Sequence, residues 1–158
     1  MSCSVESSSD LESLVALYVE CFNAPPWNDG WSREAAHDRI ESMLQARHFR
    51  GWLDTAGSSA AGGSVAGGSA QGMILAQNER WVTGYHCNIL EMCVQPTLQR
   101  RGIGAALLQQ AMAELRAEGV ENLYLMTAPN GPAESFYGKQ QFRRSRGRVV
   151  LSLSLEAT

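Results

Sequence analysis

Residues Gln99-Arg100-Arg101-Gly102-Ile103-Gly104 constrain this chain more than any other stretch. An apolar segment, Asn88 to Val94, leads into them, and an amphipathic segment, Ile103 to Glu118, leads out. Strand, glycine-containing turn and helix start in that order make a socket for phosphate. The first N–H groups of a helix have no partner within it and lie at the positive end of its dipole. Glycines let that backbone approach an anion with no side chain between. Arg100 and Arg101 add charge-assisted donors, although an exposed arginine pair is also an ordinary solvated surface.

Two familiar phosphate loops are excluded. A P-loop needs a lysine followed by Ser or Thr after its second glycine, and no such lysine is present. A dinucleotide fingerprint needs a third glycine at position 107, which is Leu107. A helix that starts after a tight turn and binds nothing remains open on these six residues alone.

The rest of the chain supplies the frame. Ser9-Asp10 offers a helix start, and Leu11, Leu14, Val15, Leu17, Tyr18 and Phe22 recur at helical spacing. Ser32 is placed to cap a second helix, with Ala35 or Ala36, Ile40, Met43 and Leu44 on one face. Phe49 to Thr55 reads as a strand. The Gly/Ala/Ser tract at about 56–70 cannot bury enough apolar area to offset its ordering entropy, which predicts a flexible loop. Apolar sequence resumes at Met73, so the tract is expected to join two antiparallel strands. Cys87 to Val94 reads as the central strand.

Beyond the central strand, Ile103, Leu107, Ala111 and Leu115 mark one helix, with Gly119 at its C′ position. Asn122 to Met126 reads as a strand, and Asn130 or Gly131 can cap a helix that opens with Pro132. Val149 to Leu155 alternates and reads as a final strand. The predicted class is α/β, a mixed sheet with helices on both faces, in one domain over residues 1–158.

Composition bounds the function. A net charge of −3 argues against a general nucleic-acid binder and is compatible with a cationic substrate. No apolar run approaches the ~20 residues of a membrane span, and Met1 to Asp10 lacks the apolar core of a signal peptide. Cys3, Cys21, Cys87 and Cys93 show no framework or finger spacing, which points to reduced thiols in a cytoplasmic protein and to no metal site. An edge strand at Val149–Leu155 would make a homodimer plausible.

Gln-x-x-Gly-x-Gly after a strand and before an amphipathic helix resembles the acetyl-CoA motif of the GNAT superfamily of N-acetyltransferases. A second block is similar to that family's next segment: Thr127-Ala128-Pro129-Asn130, then Ala133, Phe136-Tyr137-Gly138-Lys139 and Phe142. Two blocks separated by a helix and a strand are more specific than either alone. The resemblance is strongest from Asn88 to Phe142, and Phe22-Asn23-Ala24-Pro25-Pro26-Trp27 resembles a segment found in some members. Three features depart from the pattern. Gln141 stands where glycine usually precedes Phe142, which calls for a strained or different helix cap. The tract at 56–70 lengthens a connection that is normally short. The strand Leu123-Tyr124-Leu125-Met126 carries no carboxylate.

The resemblance implies a GNAT-like, mostly antiparallel central sheet and acetyl-CoA as the acetyl donor. By that resemblance the backbone of Met92, Cys93 and Val94 would pair with the pantetheine arm as an added strand. Gln99 and the amides of Arg100, Arg101, Gly102, Ile103, Gly104 and Ala105 would hold the pyrophosphate. Asn130, Ala133, Phe136, Tyr137 and Lys139 would complete the cofactor side. The family's tyrosine at position 137 serves as general acid toward the departing thiolate; core packing beside Ala133 and Phe136 is the plainer role for the same ring.

Acyl transfer to an amine also needs a base and a pocket. A lysine-like amine with pKa ~10.4 is neutral about once in 2500 molecules at pH 7, a handicap of about 4.6 kcal/mol. Glu91 interrupts the apolar strand Ile89-Leu90-Glu91-Met92-Cys93-Val94 and is the candidate base, or else a carboxylate at the rim or paired with an arginine. Alternation puts it on the face opposite Met92 and Val94. Trp27, Asp29 and Trp31, with Glu34, combine aromatic faces and carboxylates suited to a cationic amine, or two tryptophans that pack a helix junction. The amine would be a primary amine of a small molecule or peptide, acetylated directly. A CoA-binding sensor or regulatory domain without transferase activity is the alternative reading, and an interaction module with a vestigial pocket is a third.

Overall fold

The structure, a computed structural model, describes residues 8–56 and 68–155. Most of the Gly/Ala/Ser tract and Cys3 lie outside those residues. The chain divides after Met126 into two compact units.

The first unit opens with two helices. In α1 (Ser8–Phe22) the apolar stripe buries Leu14, Val15, Leu17 and Tyr18. The α2 helix (Arg33–Leu44) begins where Ser32 Oγ accepts from the Ala35 N–H at 3.1 Å, the cap its sequence predicts. Ala36, not Ala35, joins Ile40 in the core. Four strands follow: β1 (Phe49–Thr55), β2 (Ala70–Arg80), β3 (Tyr85–Val94) and β4 (Val120–Leu125). They form one sheet in the order β1-β2-β3-β4, antiparallel except for the β3–β4 pair. A parallel pair needs a crossover, and α3 (Ile103–Ala117) supplies it.

Period-two alternation sorts the sheet's side chains between its faces. Leu53, Met73 and Leu75 join the α1/α2 core. Trp52, Ile74, Ala76, Cys87 and Ile89 are buried outside that cluster, with Leu107, Leu108, Ala111 and Leu115 of α3. Each large apolar side chain so buried is worth about 1.5–3 kcal/mol. Trp52 can be buried because its indole N–H donates to Glu114 Oε2 at 2.9 Å.

Two backbone features position the site. On β3, Glu91 pairs with Leu75 but Ile89 pairs with Ala76, so Leu90 is an extra residue, a β-bulge. Without it, Ile89 and Glu91 would share a face. With it, Ile89 lies opposite the α1/α2 core while Glu91 turns toward Tyr18 and Arg39. The β3–β4 ladder also ends at Ile89↔Leu125, while β3 runs on beside β2 to Val94.

The second unit, from Thr127, contains α4 (Pro132–Lys139). Its N-cap is Gly131, and Asn130 does not cap it by side chain. The helix closes in a Schellman motif: Phe142 N–H donates to Tyr137 O and Gln141 N–H to Gly138 O, both at 3.1 Å. Gln141 takes the left-handed φ of +71° that glycine normally occupies. The expected final strand, Val149–Leu155, is absent: these residues form no strand, and Val149, Val150, Leu151, Leu153 and Leu155 are exposed. Alternation alone does not make a strand, because a strand needs a ladder partner. The preceding stretch, with Arg143, Arg144, Arg146, Gly147 and Arg148, forms no strand to pair with in a hairpin. The expectation of a dimer through that edge loses its element.

Candidate active site

The turn that opens α3 starts from the end of β3. Gln99 Nε2 donates to the Val94 carbonyl at 3.1 Å, tying the turn to the strand. Arg100 and Gly102 both adopt left-handed conformations, φ +61° and +90°. These successive reversals bring the chain from the 3-10 turn at Pro96–Leu98 into the helix. The first bond into α3 runs from Ala106 N–H to Gly102 O at 2.9 Å. The amides of Ile103, Gly104 and Ala105 therefore point from the helix end with no intrahelical acceptor.

Gly72 on β2 explains how closely α3 lies to the sheet. A Cβ there would come within 3.0 Å of Leu107 Cδ1 and 3.1 Å of Ile103 Cγ2. The absent side chain lets the helix start settle beside Val94, which pairs with Gly72. Sequence reading did not single out Gly72. Its signal was a lone glycine ahead of an apolar strand run, which marks close backbone approach.

On the opposite face, Glu91 is 9% exposed and meets side chains from α1 and α2. Arg39 donates to its Oε1 from Nε at 2.9 Å and from Nη2 at 2.5 Å. The Tyr18 hydroxyl also faces Oε1, at a long 3.4 Å. Burial raises the Glu91 carboxyl above its ordinary range, and the Arg39 bonds and charge, then Tyr18, offset only part of that rise. Burial, followed by the Glu91 charge, holds the Tyr18 phenol well above its usual range. Of the roles the sequence left open for Glu91, pairing with an arginine is present.

An aromatic wall adjoins this pair. The Trp31 ring stands edge-on to Tyr18 at 5.3 Å and carries the Arg39 guanidinium 5.7 Å from its centroid. Its indole N–H donates to Asp29 Oδ2 at 3.2 Å. Asn23 fixes the loop by gripping Trp31 twice, accepting its N–H at 2.6 Å and donating to its carbonyl at 2.9 Å. Trp27 packs on Phe22 at 6.1 Å. Trp27, Asp29 and Trp31 are thus gathered on one aromatic cluster. Glu34 is exposed in the first turn of α2, and among the described residues no hydrogen bond or ion pair ties it there.

Sequence reading missed Arg39, Tyr18 and Asn23. Tyr18 was visible only as a core residue. Arg39 directly precedes Ile40 and lies three positions after Ala36, so it borders the buried stripe of α2, and that spacing was its signal.

Cys21, Cys87 and Cys93 are free, and no group of residues suited to a metal ion occurs among those described. Burial pushes the Cys87 thiol up to about 12. The Cys21 thiol donates to the Val94 carbonyl at 3.4 Å and, with burial, raises the Cys93 thiol. A protonated Cys93 is a poor nucleophile.

In the second unit, Glu134 organises the start of α4. It accepts the Asn130 N–H at 2.6 Å and both Nε and Nη2 of Arg144, at 2.5 and 2.9 Å. Arg144 Nη2 also reaches Asn130 Oδ1 at 2.9 Å. The Arg144 bonds, then the Asn130 amide, hold the Glu134 carboxyl down to about 2. Tyr137 packs between Phe136, at 5.2 Å, and Phe142, at 5.3 Å. Ala133 lies in the first turn of α4 and Lys139 in its last.

The acetyltransferase (GNAT) family model matches residues 11–142, most of the chain and both motif blocks. The chain belongs to the GNAT family. Solved structures agree on the fold. A probable acetyltransferase matches with TM-score 0.74 at 15% identity, covering 97% of each chain. AAC(6')-Iy, in complex with the bisubstrate analog CoA-S-monomethyl-acetylneamine, matches with TM-score 0.67 at 17% identity, covering 96% of this chain and 95% of that one. The Escherichia coli ribosomal-protein-S18-alanine N-acetyltransferase matches with TM-score 0.64 at 21% identity, covering 92% and 78%. No curated protein sequence matches the chain significantly. As a GNAT protein it is an N-acetyltransferase, and among its described residues no helix is long and apolar enough to cross a membrane.

Proposed function

We propose that this enzyme moves the acetyl group of acetyl-CoA directly to a primary amine of a small molecule or peptide. The observation that carries the reading is the opening of α3: a double left-handed turn at Arg100 and Gly102, set against the end of β3 by the space left at Gly72. Bare amides at the positive end of a helix fit a diphosphate. Where the β4 ladder stops, the backbone from Met92 to Val94 suits an extended pantetheine arm as an added strand. Arg100 and Arg101 add charge, and the family resemblance also assigns Asn130, Ala133, Phe136 and Lys139 to the cofactor.

Acetyl-CoA would supply an activated thioester, and the chain's residues handle the protons. Glu91 takes the proton of the acceptor ammonium, directly or through water. Tyr137 gives a proton to the departing thiolate: its phenol is protonated at neutral pH and donates as the sulfur gains charge, and solvent returns the proton to the phenolate afterwards. Trp27, Asp29 and Trp31 form the wall for a cationic acceptor, with Glu34 at its margin. Neutral analogues are expected to be poor acceptors. The raised Cys93 thiol favours direct transfer over an acetyl-cysteine route. The test is thiol release from acetyl-CoA over a panel of primary amines and their neutral isosteres. Release confined to cationic amines supports the reading; acetyl-CoA binding with no release for any amine defeats it.

A further inference from the structure

A base that works from a buried strand must be kept both charged and aimed. All three side-chain hydrogen bonds to Glu91 end on the same oxygen, Oε1: two from Arg39 and the longer one from Tyr18. Among the described residues none reaches Oε2. The charged and titratable groups facing Glu91 are Arg39 from α2, Tyr18 from α1, Asp29 from the loop and Cys93 along β3. Only Arg39 brings a positive charge. Its guanidinium is held in turn by the Trp31 face, and Trp31 by Asp29 and Asn23.

We propose that Arg39 is a positioning residue for the base: it pins Glu91 by Oε1 as a carboxylate and leaves Oε2 to receive the acceptor's proton. This rests on the reading of Glu91 as base. A guanidinium suits the task because its planar fork fixes the carboxylate in direction as well as in charge, and it never competes for the proton. The bulge at Leu90 and Arg39 then act together. The bulge turns Glu91 toward α2, and α2 meets it with the one cation that keeps it ionised in so dry a place. Lysine would supply the charge but only one point of attachment.

The test is a titration of the Glu91 side-chain carboxyl by ¹³C NMR, assigned by its absence in Glu91→Gln. In Arg39→Met the midpoint should rise by about one pH unit, the lower end of the range for losing a close opposite charge, because Arg39 is 42% exposed. Arg39→Lys should restore most of the shift, and Tyr18→Phe should raise the midpoint by less than Arg39→Met does. Should Arg39→Met fail to fold, Arg39→Gln, which keeps a donor and loses the charge, carries the same expectation. A midpoint that stays at the wild-type value without the Arg39 charge overturns the proposal, as does an Arg39→Lys midpoint equal to that of Arg39→Met. Thiol release from acetyl-CoA, with putrescine as acceptor, separates this from the reading beneath it. Wild-type release by Glu91→Gln removes Glu91 as the base whatever the midpoints show. Loss of release in Glu91→Gln with an unmoved midpoint in Arg39→Met overturns the role of Arg39 alone.

Discussion

Replacing Gln141 with glycine should stabilise the protein, although it removes an entire side chain. Gln141 sits at C′ of the Schellman motif with φ +71°, and both hydrogen bonds of that motif are formed. An L-residue in this conformation costs about 1–2 kcal/mol relative to glycine. Glycine loses more freedom on folding, which returns about 0.4–1 kcal/mol. The side chain itself is exposed, and among the described residues it makes no hydrogen bond or ion pair. The net expectation is a gain of about 0.5–1 kcal/mol, or a rise in Tm of about 1–4 °C at this chain length. Thermal melts of the intact chain would read it, and slowed hydrogen exchange at the Phe142 amide would locate it. Gln141→Ala keeps the strain and should gain nothing. A Gln141→Gly protein that melts at or below wild type, or an alanine variant that matches it, would refute the reasoning.

The same unit supports two further predictions. Tyr137→Phe should lower kcat by about a hundredfold, within the usual range for a general acid, and leave acetyl-CoA affinity nearly unchanged; equal kcat removes Tyr137 from proton transfer. Glu134, held down to about 2 by Arg144 and the Asn130 amide, contributes stability that is present above its unfolded value and lost as pH falls through its folded one. The urea midpoint of wild type should therefore exceed that of Glu134→Gln at pH 7, with the gap closing between pH 4.5 and about 2. A gap independent of pH would assign the effect to shape and not to charge.

Local signals were legible in the sequence where the cause is local. Ser32 caps α2, β1 spans Phe49 to Thr55 as predicted, and the four-residue steps of Ile103, Leu107, Ala111 and Leu115 give α3 with Gly119 just past its end. The strained cap at Gln141 was visible as a wrong residue in a known position. What stayed hidden depends on partners far apart in the chain. The bulge at Leu90 exists only in the register between β2 and β3, and the Arg39–Glu91 pair joins residues 52 positions apart. Val149–Leu155 failed in the other direction. Its alternation is a real strand signal, but a strand is defined by its neighbour, and none of the described strands pairs with it. Among the proposed acceptor residues, Trp27, Asp29 and Trp31 are gathered on a shared aromatic cluster, whereas Glu34, close in sequence, is turned to solvent on the first turn of α2.

Recognition of the acetyl-CoA diphosphate by the amides that open α3 is the central claim. In ¹⁵N-labelled protein, adding acetyl-CoA should shift the backbone resonances from Arg100 to Ala105 strongly, and adding acetyl-pantetheine, which lacks the diphosphate, should leave them in place. Acetyl-CoA that binds without moving those resonances, or acetyl-pantetheine that moves them equally, would contradict it.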